Sequence, residues 1–189
     1  MSIINWKRLA NALEFYKSVG FTELGVDWHV PRSVHNITCN DAERMFNLKD
    51  YGTLVGSAEQ AFIGMQLDGR LPPGRYVALT PCFRDEGAGR DDLHALYFAK
   101  VELYSTLPDL DGEREALELM AYAFMSTQFE GAQAPLRSVL TDDGVDLELG
   151  GIEVGSYSSR SFGGISWTCG TGLAEPRFSM ASAAVSNQL

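Results

Sequence analysis

The apolar positions of this chain change period several times, and each change marks an element. Over 5–19, Trp6, Leu9, Ala10, Leu13 and Tyr16 recur at three- and four-residue spacing. That predicts an amphipathic helix ended by Gly20, followed by a strand over 21–26. Residues 80–86 and 97–102 alternate with period two across a polar stretch, which predicts two strands of a hairpin. Over 113–129, Ala116, Leu117, Met120, Ala121, Phe124 and Met125 return to helical spacing with charges opposite. This predicts a helix laid on a sheet, approached by Leu107-Pro108-Asp109 and ended by Gly131. Asp142-Asp143-Gly144 signals a turn. The Ser/Gly-rich segment 156–164 predicts a loop, either one that closes over a substrate or a merely flexible one. With no repeat or long linker, the expected fold is α/β (α+β): an antiparallel sheet flanked by helices in one domain, 1–189, with any site on the open face of the sheet.

The hairpin carries chemistry. Strand alternation places Cys82, Arg84 and Glu86 on one face, with Phe83 and Asp85 on the other, and Phe98, Lys100 and Glu102 together on the return strand. An arginine grips phosphate oxygens through its planar fork, and a carboxylate accepts from the amino group of adenine. An aromatic ring stacks on the base, and a second carboxylate takes a substrate ammonium. This is equipment for holding ATP beside a carboxylate substrate. An ordinary hairpin with a solvated charged face shows the same alternation, and this segment alone does not separate the two.

Four further segments change that balance. Phe83-Arg84-Asp85-Glu86, the loop residues Gly89-Arg90-Asp91 and Phe98-Ala99-Lys100-Val101-Glu102 resemble the second signature motif of class II aminoacyl-tRNA synthetases. Ser57-Ala58-Glu59 resembles the Thr-Ala-Glu loop of the seryl branch. Asp146-Leu147-Glu148 and Glu153 to Ser158 resemble the strands that bring a metal-binding glutamate and a serine to that site. Gly170-Thr171-Gly172-Leu173-Ala174-Glu175-Pro176-Arg177 resembles the third signature motif. The helix and strand at the start resemble the dimerisation element, although Asp27 stands where the family has proline. The chain is therefore most similar to a seryl-type catalytic core and to the truncated relatives that charge carrier proteins.

The resemblance implies adenylation of an amino acid, small or small and polar. Arg84 would hold the α-phosphate and the carboxylate, Arg177 the terminal phosphate, Phe98 the adenine face and Glu86 its amino group. Ser57, Glu59, Glu102, Ser156 and Thr171 would line the amino-acid pocket. Glu148 and Glu153 would hold Mg2+ with ATP, although an acidic turn and a half-exposed strand account for Glu148 equally well. A zinc ion on Cys82, Glu102 and Cys169 is implied only weakly, since Cys82 also occurs in zinc-free relatives. His29 and His35 read as surface or core residues, and His94 as a solvated loop residue or a contact to phosphate or acceptor.

Charge and length narrow the partners. Fifteen Lys and Arg against 25 Asp and Glu give a net charge of −10. A protein that tracks a polyanion normally shows a basic face, so binding of a whole tRNA is expected only with a second protein's help. In 189 residues nothing resembles a tRNA-gripping arm or an anticodon-binding domain. The acceptor is then a carrier protein, a small metabolite or a modified nucleotide. A non-catalytic regulator that binds amino acid or nucleotide, and a minimal tRNA-charging enzyme, remain the alternatives. No apolar run follows Lys7 and Arg8, none reaches the roughly 20 residues of a membrane span, and the three cysteines show no paired spacing. A cytoplasmic homodimer without membrane contact is the expectation.

Overall fold

The computed structural model describes residues 4–39, 41–85, 93–129 and 136–186. Two long antiparallel hairpins form the centre of its main sheet. Strand β5 (Arg75–Phe83) pairs with β6 (Tyr97–Ser105) from Arg75↔Ser105 to Phe83↔Tyr97. Strand β10 (Ile165–Glu175) joins β6 on one side and β9 (Ile152–Phe162) on the other. Strands β8 (Gly144–Leu149) and β7 (Leu136–Thr141) extend the sheet beyond β9, through the expected turn at Asp142-Asp143. At the opposite edge β1 (Thr22–Glu23) adds parallel to β5, giving the order β1-β5-β6-β10-β9-β8-β7. A smaller sheet of β2 (His29–Val30), β4 (Gly52–Leu54) and β3 (Asn47–Leu48) stands beside it, with the short helix α2 (Arg32–His35).

Period-two alternation sorts the strand side chains onto two faces. Val77, Ala99, Val101, Leu103, Leu147 and Leu173 turn to the back, where they pack against α1 (Trp6–Ser18), α4 (Leu110–Thr127) and α5 (Arg177–Ser186). Tyr76, Ala78, Tyr104, Trp167 and Cys169 turn to the front, where one helix, α3 (Ala58–Leu67), covers them through Ala58, Phe62 and Ile63. Phe62, Tyr104 and Trp167 form a continuous stack, at 5.0 Å and 6.4 Å between ring centroids. One helix cannot cover seven strands. The rest of the front face stays open as a cleft.

Several expectations need correction. Helix α1 begins one residue after its cap, Asn5, whose side chain accepts from the Arg8 N–H at 3.0 Å. Its buried line is Leu9, Ala12 and Tyr16, whereas Trp6 and Ala10 are exposed. The strand read over 21–26 shrinks to Thr22–Glu23. Helix α4 starts earlier than its apolar pattern, because Asp109 caps it by accepting from the Gly112 N–H at 3.1 Å. It ends at Thr127, and Gly131 lies outside the described residues.

The largest correction concerns 156–164. Up to Phe162 it is strand β9, paired with β10 from Gly170↔Tyr157 to Ile165↔Phe162, with the turn at Gly163-Gly164. Its Tyr157 packs closely on β10: a Cβ on Gly170 would lie 2.2 Å from the Tyr157 ring, whose hydroxyl donates to the Thr171 carbonyl at 2.7 Å.

Candidate active site

The uncovered front face is a cleft of about 290 Å³. Its floor comes from β6, β9 and β10: Phe98, Lys100 and Glu102 share one face as alternation requires, and Thr171 stands opposite Glu102 across the β6–β10 ladder. Ser156, Ser158 and Arg160 add the same face of β9. Ser57 and Glu59 enter from the start of α3, Arg84 from the end of β5, and Glu153 and Arg177 from the far side. Ser57, Glu59, Arg84, Phe98, Glu102, Glu153, Ser156, Thr171, Cys169 and Arg177 therefore all border one cavity. Glu86, like Gly89, Arg90 and Asp91, lies outside the described residues.

Local structure explains how each side chain is held. Ser57 is the N-cap of α3 and accepts from the Glu59 N–H at 3.2 Å, and Gln60 reaches back to the Gly56 N–H at 2.7 Å. The expected loop is thus a capping-box-like helix start, which fixes the direction of Glu59. The Glu59 carboxylate is buried and accepts from Trp167 Nε1 at 2.9 Å and from the Cys169 thiol at 3.1 Å, with Arg160 at 3.4 Å. Arg84 lies just beyond β5, donates from Nε to the Gly56 carbonyl at 3.1 Å, and lays its guanidinium over the Phe98 ring at 5.3 Å.

Lys100 and Glu102 form a buried ion pair at 2.9 Å. Burial raises the Glu102 carboxyl above its ordinary value, Lys100 opposes this and nearby Glu59 adds to it. At the other end Arg177 donates to the Leu93 carbonyl at 3.2 Å and pairs with Glu153 at 3.4 Å.

The two metal proposals fare differently. Among the described residues no three His, Cys, Asp or Glu side chains gather closely enough to hold a metal. Cys82 is fully buried and does not border the cleft, with its thiol 3.9 Å from the Thr80 hydroxyl, and the Cys169 thiol donates to Glu59. Burial pushes the Cys82 thiol up to about 11 and the Cys169 thiol well above its ordinary value. Zinc on Cys82, Glu102 and Cys169 does not fit.

Mg2+ needs only one or two carboxylates beside phosphates. Glu148 and Glu153 face each other across β8–β9, but Glu148 is gripped by Arg137 at 2.6 Å and does not border the cleft. Glu153, which does, fits a metal arriving with phosphates.

Arg160 and Trp167 are the site residues that sequence reasoning passed over. Arg160 continues the Ser156, Ser158 alternation, a signal hidden by reading the segment as a loop.

No family model and no curated protein matches the chain. Among solved structures it is similar to PylSc of Desulfitobacterium hafniense, a pyrrolysyl tRNA synthetase, with a TM-score of 0.70 at 18% identity. The match covers 94% of this chain and 67% of that one. The fold is that of a class II aminoacyl-tRNA synthetase catalytic domain, a mostly antiparallel seven-stranded sheet flanked by helices. No described helix is long and apolar enough to cross a membrane.

Proposed function

We propose that this protein is an ATP-dependent amino-acid-activating ligase, a single catalytic domain that forms an aminoacyl adenylate and passes it to an acceptor other than free tRNA. The observation that carries this reading is the position of Arg84. Its guanidinium lies over the Phe98 ring, in a cavity that Glu59, Glu102 and Arg177 also border. That set suits a bent ATP with its base at Phe98, its α-phosphate at Arg84 and its terminal phosphate at Arg177. The seryl-like motifs support the same polarity.

In the reaction the amino-acid carboxylate attacks the α-phosphorus in line, a carboxyl–phosphate bond forms, and pyrophosphate leaves. The protein contributes positioning and charge neutralisation, with no covalent intermediate. Glu59 is held rigid by three donors and orients the substrate ammonium, and Glu102 closes the pocket beneath it. Arg84 neutralises the charge that builds on the α-phosphate. Glu153 would hold Mg2+, which supplies charge neutralisation on the phosphates when bound.

A small amino acid is favoured by the Ser57-Ala58-Glu59 likeness, with the Glu59 carboxylate backed by Trp167, which continues the stack of Tyr104 and Phe62. A cytoplasmic homodimer completes the reading by resemblance. The test is amino-acid-dependent exchange of labelled pyrophosphate into ATP across the twenty standard amino acids. Exchange with one small amino acid is expected. Silence from folded protein that still binds ATP would replace the ligase with a non-catalytic nucleotide-binding regulator.

A further inference from the structure

Helix α1 packs on the back of the sheet through apolar side chains, Leu9, Ala12 and Tyr16, and its Lys7, Glu14 and Lys17 are exposed. Arg8 is different. Its Nη1 donates to Glu175 Oε1 at 2.6 Å and to the Ser179 hydroxyl at 2.7 Å, and its guanidinium lies over the Phe178 ring at 5.2 Å. Glu175 is fully buried at the end of β10, and its second oxygen accepts from the Ser179 N–H at 3.3 Å in the first turn of α5. One side chain from α1 therefore grips the chain on both sides of Arg177, at 175, 178 and 179. Arg177, the first residue of α5, borders the cleft and meets the Leu93 carbonyl and Glu153 there. Arg8 does not border the cleft.

We infer that Arg8 is a positioning residue: it holds the junction of β10 and α5 so that Arg177 meets the terminal phosphate of ATP. The inference rests on the ATP-binding part of the function proposed above. An arginine gives up rotamer freedom when it grips a phosphate, so the backbone it extends from must be fixed for the grip to be tight. Helix α5 has ten residues, too few to be stable without packing, and its first turn needs an anchor. The Glu175 carboxylate supplies one by accepting at that turn, where a negative charge is favoured. Buried without a cation, that carboxylate would be costly, and Arg8 provides the cation from another element. A buried ion pair adds little stability over apolar side chains of the same volume. What this one adds is direction.

Equilibrium titrations with ATP and with AMP, both in Mg2+ buffer, test this, because AMP has no terminal phosphate for Arg177 to hold. Arg8→Met alone strands Glu175, so it is combined with Glu175→Gln. This double variant should weaken ATP about tenfold and leave AMP within about twofold, the loss of one charge-assisted grip. In an Arg177→Ala background the same pair of changes should shift ATP affinity by less than about twofold, since Arg8 acts only through Arg177. Arg8→Lys keeps a cation on Glu175 but cannot also fork to Ser179, and should show an intermediate loss of about threefold, again confined to ATP. Equal losses for ATP and AMP, a loss undiminished in Arg177→Ala, or no loss in either variant would overturn the inference and leave the proposed function standing. Wild-type protein that binds no ATP would overturn both. Binding is read without turnover, so silent pyrophosphate exchange beside an ATP-specific loss removes the ligase and keeps the role of Arg8.

Discussion

The indole N–H of Trp167 donates to the Glu59 carboxylate at 2.9 Å, joining residues 108 positions apart. The bond ties the start of α3 to β10 and aims the carboxylate into the cleft. Trp167→Phe keeps a ring against Tyr104 but removes this donor. It should raise the KM for the amino acid about tenfold, leave kcat within about threefold, and cost about 1–2 kcal/mol of stability. Steady-state exchange kinetics and urea denaturation check the two parts.

The Lys100–Glu102 pair predicts a non-additive pattern. Lys100→Met strands a carboxylate that is 1% exposed, and breaking a buried pair in this way costs about 3 kcal/mol or more. Adding Glu102→Gln removes the stranded charge, so the double variant should regain most of the loss. Equal instability of single and double variants in chemical denaturation would contradict the pairing.

Arg75 grips Glu113 through two bonds, at 2.8 and 2.7 Å, fastening β5 to the start of α4. Hydrogen bonding from Arg75 holds the Glu113 carboxyl below its ordinary value of 4.5, with burial opposing. A depressed folded pKa means the stabilisation is present above the unfolded value and is lost as pH falls through the folded one. Glu113→Gln should therefore lower stability at neutral pH and flatten the acid limb below about 4.5. Melting temperatures across pH 2–7 read both effects, and an unchanged acid slope would count against the pair.

Gly172 sits where the β6–β10 register shifts, and its carbonyl accepts from the buried Tyr16 hydroxyl at 2.9 Å. A Cβ there would stand 2.7 Å from the Tyr16 ring and 3.0 Å from a Val101 methyl. Gly172→Ala should cost about 1–3 kcal/mol in denaturation, by overpacking α1 against the sheet.

The hairpin of β5 and β6 was legible because its chemistry and its alternation coincide, although its first strand runs Arg75–Phe83 and ends before Arg84, where 80–86 was expected. Cys82 opposite Phe98 and Thr80 opposite Lys100 are the register a simple hairpin gives. Helix α4 was legible from its apolar stripe. Segment 156–162 was not, because serine and glycine carry the same composition in a flexible loop and in a strand paired with β10. Misreading it hid Arg160, which borders the cleft. The start of α3 was missed for a different reason. Ser57 and Gln60 form the cap signal, but family likeness drew the same residues as a loop. The zinc set does not fit because Cys82 is buried away from the cleft lining while Cys169 faces Glu59, which sequence spacing cannot show.

The most direct measurement uses the amino acid that supports exchange, labelled with ¹⁸O in both carboxylate oxygens. Attack of that carboxylate on the α-phosphorus transfers one labelled oxygen to the phosphate when the adenylate is consumed at its carbonyl. Mass spectrometry of the nucleotide product should show AMP carrying one ¹⁸O, with the signal lost in Arg84→Ala. Unlabelled AMP, or ADP as the product, would contradict adenylation in this cleft.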